Sequence, residues 1–355
     1  MTAISPPSTP AVPGTPPQSP PPPPSSRRSR LRGWNSTGVT RLRREGAIAP
    51  IAAFVVFFVV YVIINPELLT RFQLQTASNL VVPLALVALG QLVVVLVGGI
   101  DISIGAIMSL CNVVFATQLL TLPVPVAILL AVLVGLGCGL FNGFLVAYAG
   151  LPAIAVTLAS AFIFGSLARE VLDRPGGGVT KEIYLATSGE LLPFVPVALV
   201  WLAAIAVGLW LLLQRTALGR HIYGVGSNME SVRAAGINAR LTKLLAFGLA
   251  GVLTSFGAMM LASSTVTGDP RSGDPYLLSS IAAVALAGAA FTGGRGSIIG
   301  TILAACTLGL IGNLLFFAGV NSYWQYVISA LIIVAVVGLP VVWRRVAFRV
   351  KGIRS

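Results

Sequence analysis

Apolar residues run from position 48 to 343 with only short polar breaks. A helix of about 20 apolar residues, rising 1.5 Å per residue, crosses a hydrocarbon layer of roughly 30 Å. The pattern predicts ten such helices, over 48–64, 78–98, 101–120, 124–149, 152–172, 191–213, 244–264, 276–293, 297–318 and 321–343. The run 276–293 is marginal in length and 101–120 opens on a charge, so either could be broken or re-entrant. The expected fold class is an all-α membrane protein.

One long polar interruption stands out, Gly219–Lys243. Inside it, Ser227 followed three residues later by Glu230 fits a capping box. Gly236 fits a C-terminal stop, because glycine takes the left-handed conformation cheaply. These signals predict a helix of about two turns between Ser227 and Gly236. So short a helix is unstable alone in water and needs a surface to lie on.

Charge fixes the orientation. The chain has 355 residues and a net charge of +13, but only 9% of its residues are charged. Lysine and arginine concentrate in three clusters, Arg27–Arg44, Arg215–Lys243 and Arg344–Arg354, each beside an apolar run. That layout fits cytoplasmic loops under the positive-inside rule and gives no reason to expect a nucleic-acid partner. Ten spans place all three clusters on one side with both termini cytoplasmic, whereas nine or eleven strand one cluster outside. The expected organisation is a Pro/Arg-rich tail at 1–46, a membrane domain at 47–343 with the basic loop 215–243, and a basic tail at 344–355. The first tail carries eleven prolines by Pro24 and has no means to build a packed core.

Enzyme chemistry finds little support. No G-x-S-x-G, H-E-x-x-H or Walker A pattern is present, and His221 is the only histidine. Cys111, Cys138 and Cys306 lie in apolar runs and read as small packing residues. Asp101 is the one acid placed early in a span, within Gly98-Gly99-Ile100-Asp101-Ile102-Ser103. A charge at membrane depth marks a pathway or a buried pair. Asp101 with Ser103 could equally cap the helix beginning at 102. Asn142 and Asn313 are lone amides within spans, suited to interhelical hydrogen bonds or to lining a polar path. Asp269, Arg271 and Asp274 form a polar knot on the outer side, either a solvated loop or a docking surface. Glycines such as Gly135, Gly139, Gly143, Gly248, Gly251 and Gly257 let helix backbones approach closely. The pair Gly98-Gly99 followed by Gly105 recurs as Gly293-Gly294 followed by Gly300, a weak internal repeat.

Four stretches together carry a family resemblance. They are GGIDISIGAIMSL at 98–110, FNGFLVAYAGLPAIAVTLAS at 141–160, GRHIYGVGSNMESVRAAGINARLTKLLAF at 219–247 and GDPYLLSSIAAVALAGAAFTGGRGSIIGT at 273–301. The sequence resembles permease subunits of bacterial ABC importers of the ribose/xylose/autoinducer-2 type, over most of residues 50–340. Ala287-Gly288-Ala289 departs from the usual Gly-Gly pair. The resemblance implies a type II (vitamin B12-importer-like) permease architecture in the bacterial inner membrane. It implies a translocation path for a small, ribose-like sugar between two permease copies or paralogues. It also implies an extracytoplasmic sugar-binding protein and a dimer of ATP-binding subunits. ATP and Mg then belong to that partner, and this chain binds no cofactor. On this reading Gly226, Ser227, Asn228, Glu230, Arg233, Ala234, Ala235 and Gly236 form the loop that docks on the ATPase. Asp101, Ser103, Asn142 and Asn313 are pathway or gating candidates, and Asp269, Arg271 and Asp274 are binding-protein docking candidates. A branched-chain amino-acid permease is the alternative within the class. A secondary transporter, which places ionisable coupling residues at mid-membrane, is the alternative outside it.

Overall fold

The computed structural model describes residues 48–321 together with positions 324, 327, 328 and 331. The predicted run 321–343 lies almost wholly outside the described residues, as do the two tails. The described chain is helical, apart from one two-stranded hairpin. In order it forms α1 (Ile48–Ile64), a 3-10 turn (Pro66–Leu69), α2 (Arg71–Leu96), α3 (Ile104–Gln118), α4 (Val124–Ala147) and α5 (Ala153–Val171). There follow α6 (Lys181–Ser188), β1 (Glu190–Leu192), β2 (Val195–Pro196), α7 (Val197–Arg215), α8 (Ala217–Ser227) and α9 (Met229–Ala234). The last three are α10 (Ala239–Thr265), α11 (Asp274–Leu286) and α12 (Ile298–Phe317).

Among the described residues, α2, α4, α5, α7, α10 and α12 are long and apolar enough to cross a membrane, while α1, α3 and α11 are shorter apolar helices. Each of the first nine predicted runs overlaps one of these nine, although α2, α7, α10 and α11 extend beyond their runs. The two doubtful runs hold the two shortest of these, α3 and α11. Helix α11 has 13 residues and α3 has 15, so each rises only about 20–22 Å and stops short of a full crossing. Glycines at positive φ follow or precede them: Gly98 at 79°, Gly288 at 74°, Gly293 at 97° and Gly294 at 75°.

Helix α2 is apolar all round, and Val81–Leu96 are buried without a gap, as a helix enclosed by other helices must be. It packs against α10, α11 and α12, and α10 packs in turn against α3 and α4. The α4–α10 contact is built on small residues. A Cβ on Gly135 would run into the Gly251 backbone, one on Gly139 into Phe247, and one on Gly143 into Leu244. Gly257 lies close to Val87 and Pro83 of α2, less tightly than Gly135 and Gly139 do against α10. Gly137, on another face of α4, has nothing within 4 Å. The backbones therefore touch only where the glycines line up.

Two segments differ from expectation. The connection between the predicted runs 152–172 and 191–213 is not a plain loop, since it contains α6. In its first turn, the Glu182 carboxyl is held below the usual carboxylate range by its own backbone N–H and the Thr180 hydroxyl. The run expected to start at 191 starts as helix α7 only at Val197, because 190–196 form the hairpin. Pro193 and Pro196 punctuate that stretch, and Phe194 turns it at φ 67°. Glu190 receives Arg71 Nη2 at 2.5 Å and Nε at 3.2 Å, tying the hairpin to the start of α2.

Candidate functional site

The breaks between short helices hold the polar chemistry. Between α2 and α3 the chain leaves the helix at Gly98 and passes through Asp101, which is 1% exposed. The Asp101 Oδ1 accepts from the Ser103 backbone N–H at 2.8 Å and from its hydroxyl at 2.6 Å. The Asn142 amide of α4 donates to that same Ser103 oxygen at 2.7 Å. Thr157 of α5 accepts from the Ile102 N–H at 3.0 Å. Gln91 of α2, oriented as its surroundings require, donates to the Asp101 carbonyl at 3.1 Å and accepts from its N–H at 3.2 Å. All five polar residues are essentially without solvent exposure. Three helices, α2, α4 and α5, thus hold one irregular loop by its own polar groups, so its backbone is satisfied away from water.

The structure brings Asp101, Ser103 and Asn142 together but leaves Asn313 out. Asn313 stands on α12, and no hydrogen bond joins it to this cluster; among the described residues its amide nitrogen is without a partner. The cap suggested for position 102 shifts: α3 begins at Ile104, and Asp101 bonds the N–H of Ser103 just before the helix. Gln91 and Thr157 were not singled out from sequence. An amide or a hydroxyl within an apolar run is the only signal either residue carries. Asn142 Oδ1 has no partner among the described residues, which leaves one buried acceptor open in the cluster.

The basic loop forms two helices. Helix α8 is capped by Thr216, whose hydroxyl accepts from Gly219 N–H at 3.2 Å, and buries Ile222 and Val225. Helix α9 follows at once. The capping box expected at Ser227 and Glu230 is not formed. Ser227 is the last residue of α8, and its hydroxyl donates back to the Tyr223 carbonyl at 2.8 Å. Asn228 takes the cap instead, in extended conformation, its Oδ1 accepting from the Ser231 N–H at 2.9 Å. Asparagine is as good a cap as serine, and a serine already bonded to the preceding turn is not free to serve. The stop at Gly236 is as expected, with φ 76°. The Ile237 N–H reaches the Val232 carbonyl at 3.2 Å and the Gly236 N–H reaches the Arg233 carbonyl at 2.9 Å, the two bonds of a Schellman end. Arg233, Ala234, Ala235 and Gly236 are exposed, and only Val232 of α9 is buried. Asn228→Ala is expected to lower stability by about 1 kcal/mol, and Asn228→Asp to restore it. A denaturation midpoint measured on the purified protein checks both.

Glycine joins the loop to the breaks. The Gly294 N–H donates to the Leu96 carbonyl at 2.9 Å, closing the α11–α12 break onto the end of α2. Gly226, in the last turn of α8, lies against both Leu96 and Gly293-Gly294, so close that a Cβ there would collide with their backbones. A Cβ on Gly293 would come within 3.0 Å of Gly98 N. The recurrent glycine pairs therefore meet each other at Gly98 and Gly293, and α8 meets Gly293-Gly294 and the end of α2 at Leu96.

On the far face, Asp269 accepts from the Arg271 N–H at 2.8 Å, and its own N–H donates to Asn112 of α3 at 2.8 Å. Arg271 and Asp274 are exposed while Asp269 is half-buried. The same loop is bridged to the one after α5 through Gly176 and Gly268.

Residues 73–337 match the family described as branched-chain amino acid transport system / permease component. The chain belongs to this permease family. It is 35% identical over 260 residues to a probable ABC transporter permease of Sinorhizobium fredii, spanning 72% of this chain and 77% of the relative. It is 31% identical over 304 residues to the ribose import permease of Bacillus subtilis, spanning 84% and 94%. With the autoinducer 2 import system permease of an Enterobacter species it shares 30% over 283 residues, 78% and 86% of the two chains. No solved structure matches the chain. The permease is thus a membrane transport subunit, and the family match runs through every described helix from α3 to α12.

Proposed function

We propose that this permease forms the import pathway for a ribose-like monosaccharide in a type II architecture of ten spans with both termini cytoplasmic. The observation that carries this reading is the glycine junction. It connects an exposed, capped helix on the basic face to the polar loop around Asp101 in the interior. A dimer of ATP-binding subunits receives α9 in a groove, with Ala234, Ala235 and Gly236 small enough for close contact and Glu230 and Arg233 orienting it from the rim. Movement of α9 passes through α8 and Gly226 to the breaks at Gly98 and Gly293. The Asp101–Ser103–Asn142 cluster, closed to solvent here, acts as the fixed point of that movement and not as a sugar contact. The sugar arrives from an extracytoplasmic binding protein docked near Arg271 and Asp274, and passes between two permease copies or paralogues along an uncharged path. ATP and Mg stay with the partner subunits. The family description mentions branched-chain amino acids, but the ribose and autoinducer 2 permeases align over more than three quarters of this chain, and that favours a sugar.

Topology is tested by cysteine labelling in a variant lacking Cys111, Cys138 and Cys306. An impermeant thiol reagent added outside is expected to modify cysteines placed at 182 and 272 and to miss one at 230. Labelling at 230 contradicts the orientation. Solute identity is tested by uptake of labelled ribose with the cognate binding protein. Uptake unaffected by excess ribose but blocked by leucine reassigns the substrate class.

A further inference from the structure

A cavity of about 350 Å³ opens on the basic face, between the Gly98-Gly99 break, the α4–α5 connection and the start of α10. Arg233, Arg240 and Lys243 all line it, and no acidic residue does. Among the described residues none of the three is in an ion pair. Arg240 and Lys243 lie in the first two turns of α10. The partial charge of a helix N-terminus is positive and disfavours cations there. Helix α5 also begins at this cavity, at Pro152-Ala153, with no side chain capping it. Three cations, gathered against their mutual repulsion and against two helix ends, call for an anion.

We infer that this cavity binds an anionic phosphate group, either the headgroup of a net-anionic phospholipid or free phosphate, clasped between Arg233 of α9 and Arg240 and Lys243 of α10. Arginine suits such an oxyanion through its fork of donors, and lysine as a point charge. Tyr148, which lines the rim and is 41% exposed, is the residue type that sits at the headgroup level of a bilayer. The bound anion links the exposed helix α9 to the long helix α10, whichever solute the permease carries.

The test uses the full chain in phosphatidylcholine discs and in phosphatidylglycerol discs, with thermal midpoint read against inorganic phosphate. In phosphatidylcholine, phosphate is expected to raise the midpoint saturably. Arg240→Gln with Lys243→Gln should weaken that response at least about tenfold, since each charge-assisted contact is worth that much or more. Lys243→Arg should keep it, as should Arg220→Gln, an exposed cation of the same loop outside the cavity. A midpoint already raised in phosphatidylglycerol and no longer responsive to phosphate assigns the site to lipid. An equal response in both discs assigns it to the free anion. No response in either disc overturns the inference. So does an equal loss in Arg220→Gln, which makes the effect one of net charge. If the double variant loses only its ATP-binding partner and phosphate has no effect, the cations serve a protein carboxylate and the inference also fails.

Discussion

Gly226→Val is expected to abolish uptake while leaving the permease in the membrane. The valine Cβ would meet the Leu96 carbonyl and the Gly294 amide, which are backbone atoms already hydrogen-bonded to each other at 2.9 Å. Side chains can rotate away from added bulk, but these backbones cannot. Overpacking costs about 1–3 kcal/mol in ordinary cores, and here the strain falls on the three-way contact of α8 with both breaks. Spans elsewhere keep their packing, so insertion should persist. Gly137→Val is the control, because nothing lies within 4 Å of that Cβ. Immunoblots of membranes and labelled-ribose uptake separate the outcomes. Gly226→Val that transports like the parent removes the glycine junction from the mechanism.

The second large effect is expected at the end of α9. Gly236→Val places a β-branched residue at φ 76°, though nothing lies within 4 Å of the new Cβ. The cost is therefore backbone strain, about 1–3 kcal/mol, imposed on a helix of six residues. Gly236→Asn, which tolerates that conformation, should be mild. Ala235→Trp works differently: the position is exposed, so the permease should fold normally and lose only its fit to the ATPase groove. In both Gly236→Val and Ala235→Trp, substrate-stimulated ATP hydrolysis by the assembled transporter should fall about tenfold or more, the effect of losing roughly 1.4 kcal/mol of coupling. The basal hydrolysis of the isolated ATP-binding subunit should not change. Co-purification and stimulated hydrolysis retained in both variants would place the coupling contact elsewhere.

Sequence pattern located the helices well because lipid demands long apolar runs, and it flagged 101–120 and 276–293 because their apolar runs are short or charged. It erred where two local signals competed. Ser227 and Asn228 are both good caps, and only the preceding turn of α8, which engages Ser227, decides between them. The hairpin at 190–196 was read into a span because Leu191, Leu192 and Phe194 are apolar, and hydropathy does not register the prolines beside them. The Asp101 cluster was half legible. An acid in an apolar run announces itself, but Gln91 and Thr157 become informative only once three helices are placed around the same loop. The meeting of Gly226 with Gly293 and Leu96 is a contact between distant segments, and a pair of recurring glycines says nothing about which third element lies against them.

Helix α10 gives these contacts a common geometry. Its 27 residues make a rod of roughly 40 Å. One end begins just after α9, and the other leads into the strip where Gly268 is bridged to Gly176. A tilt of about 5° about its middle displaces each end of such a rod by nearly 2 Å in opposite senses. Backbone touches backbone along the α4 seam, a fit that favours pivoting with the neighbour over sliding past it. On the coupling proposed above, a push on the basic face becomes an opposite swing of the two bridged loops at the far end of α10, so one lever would serve both ends.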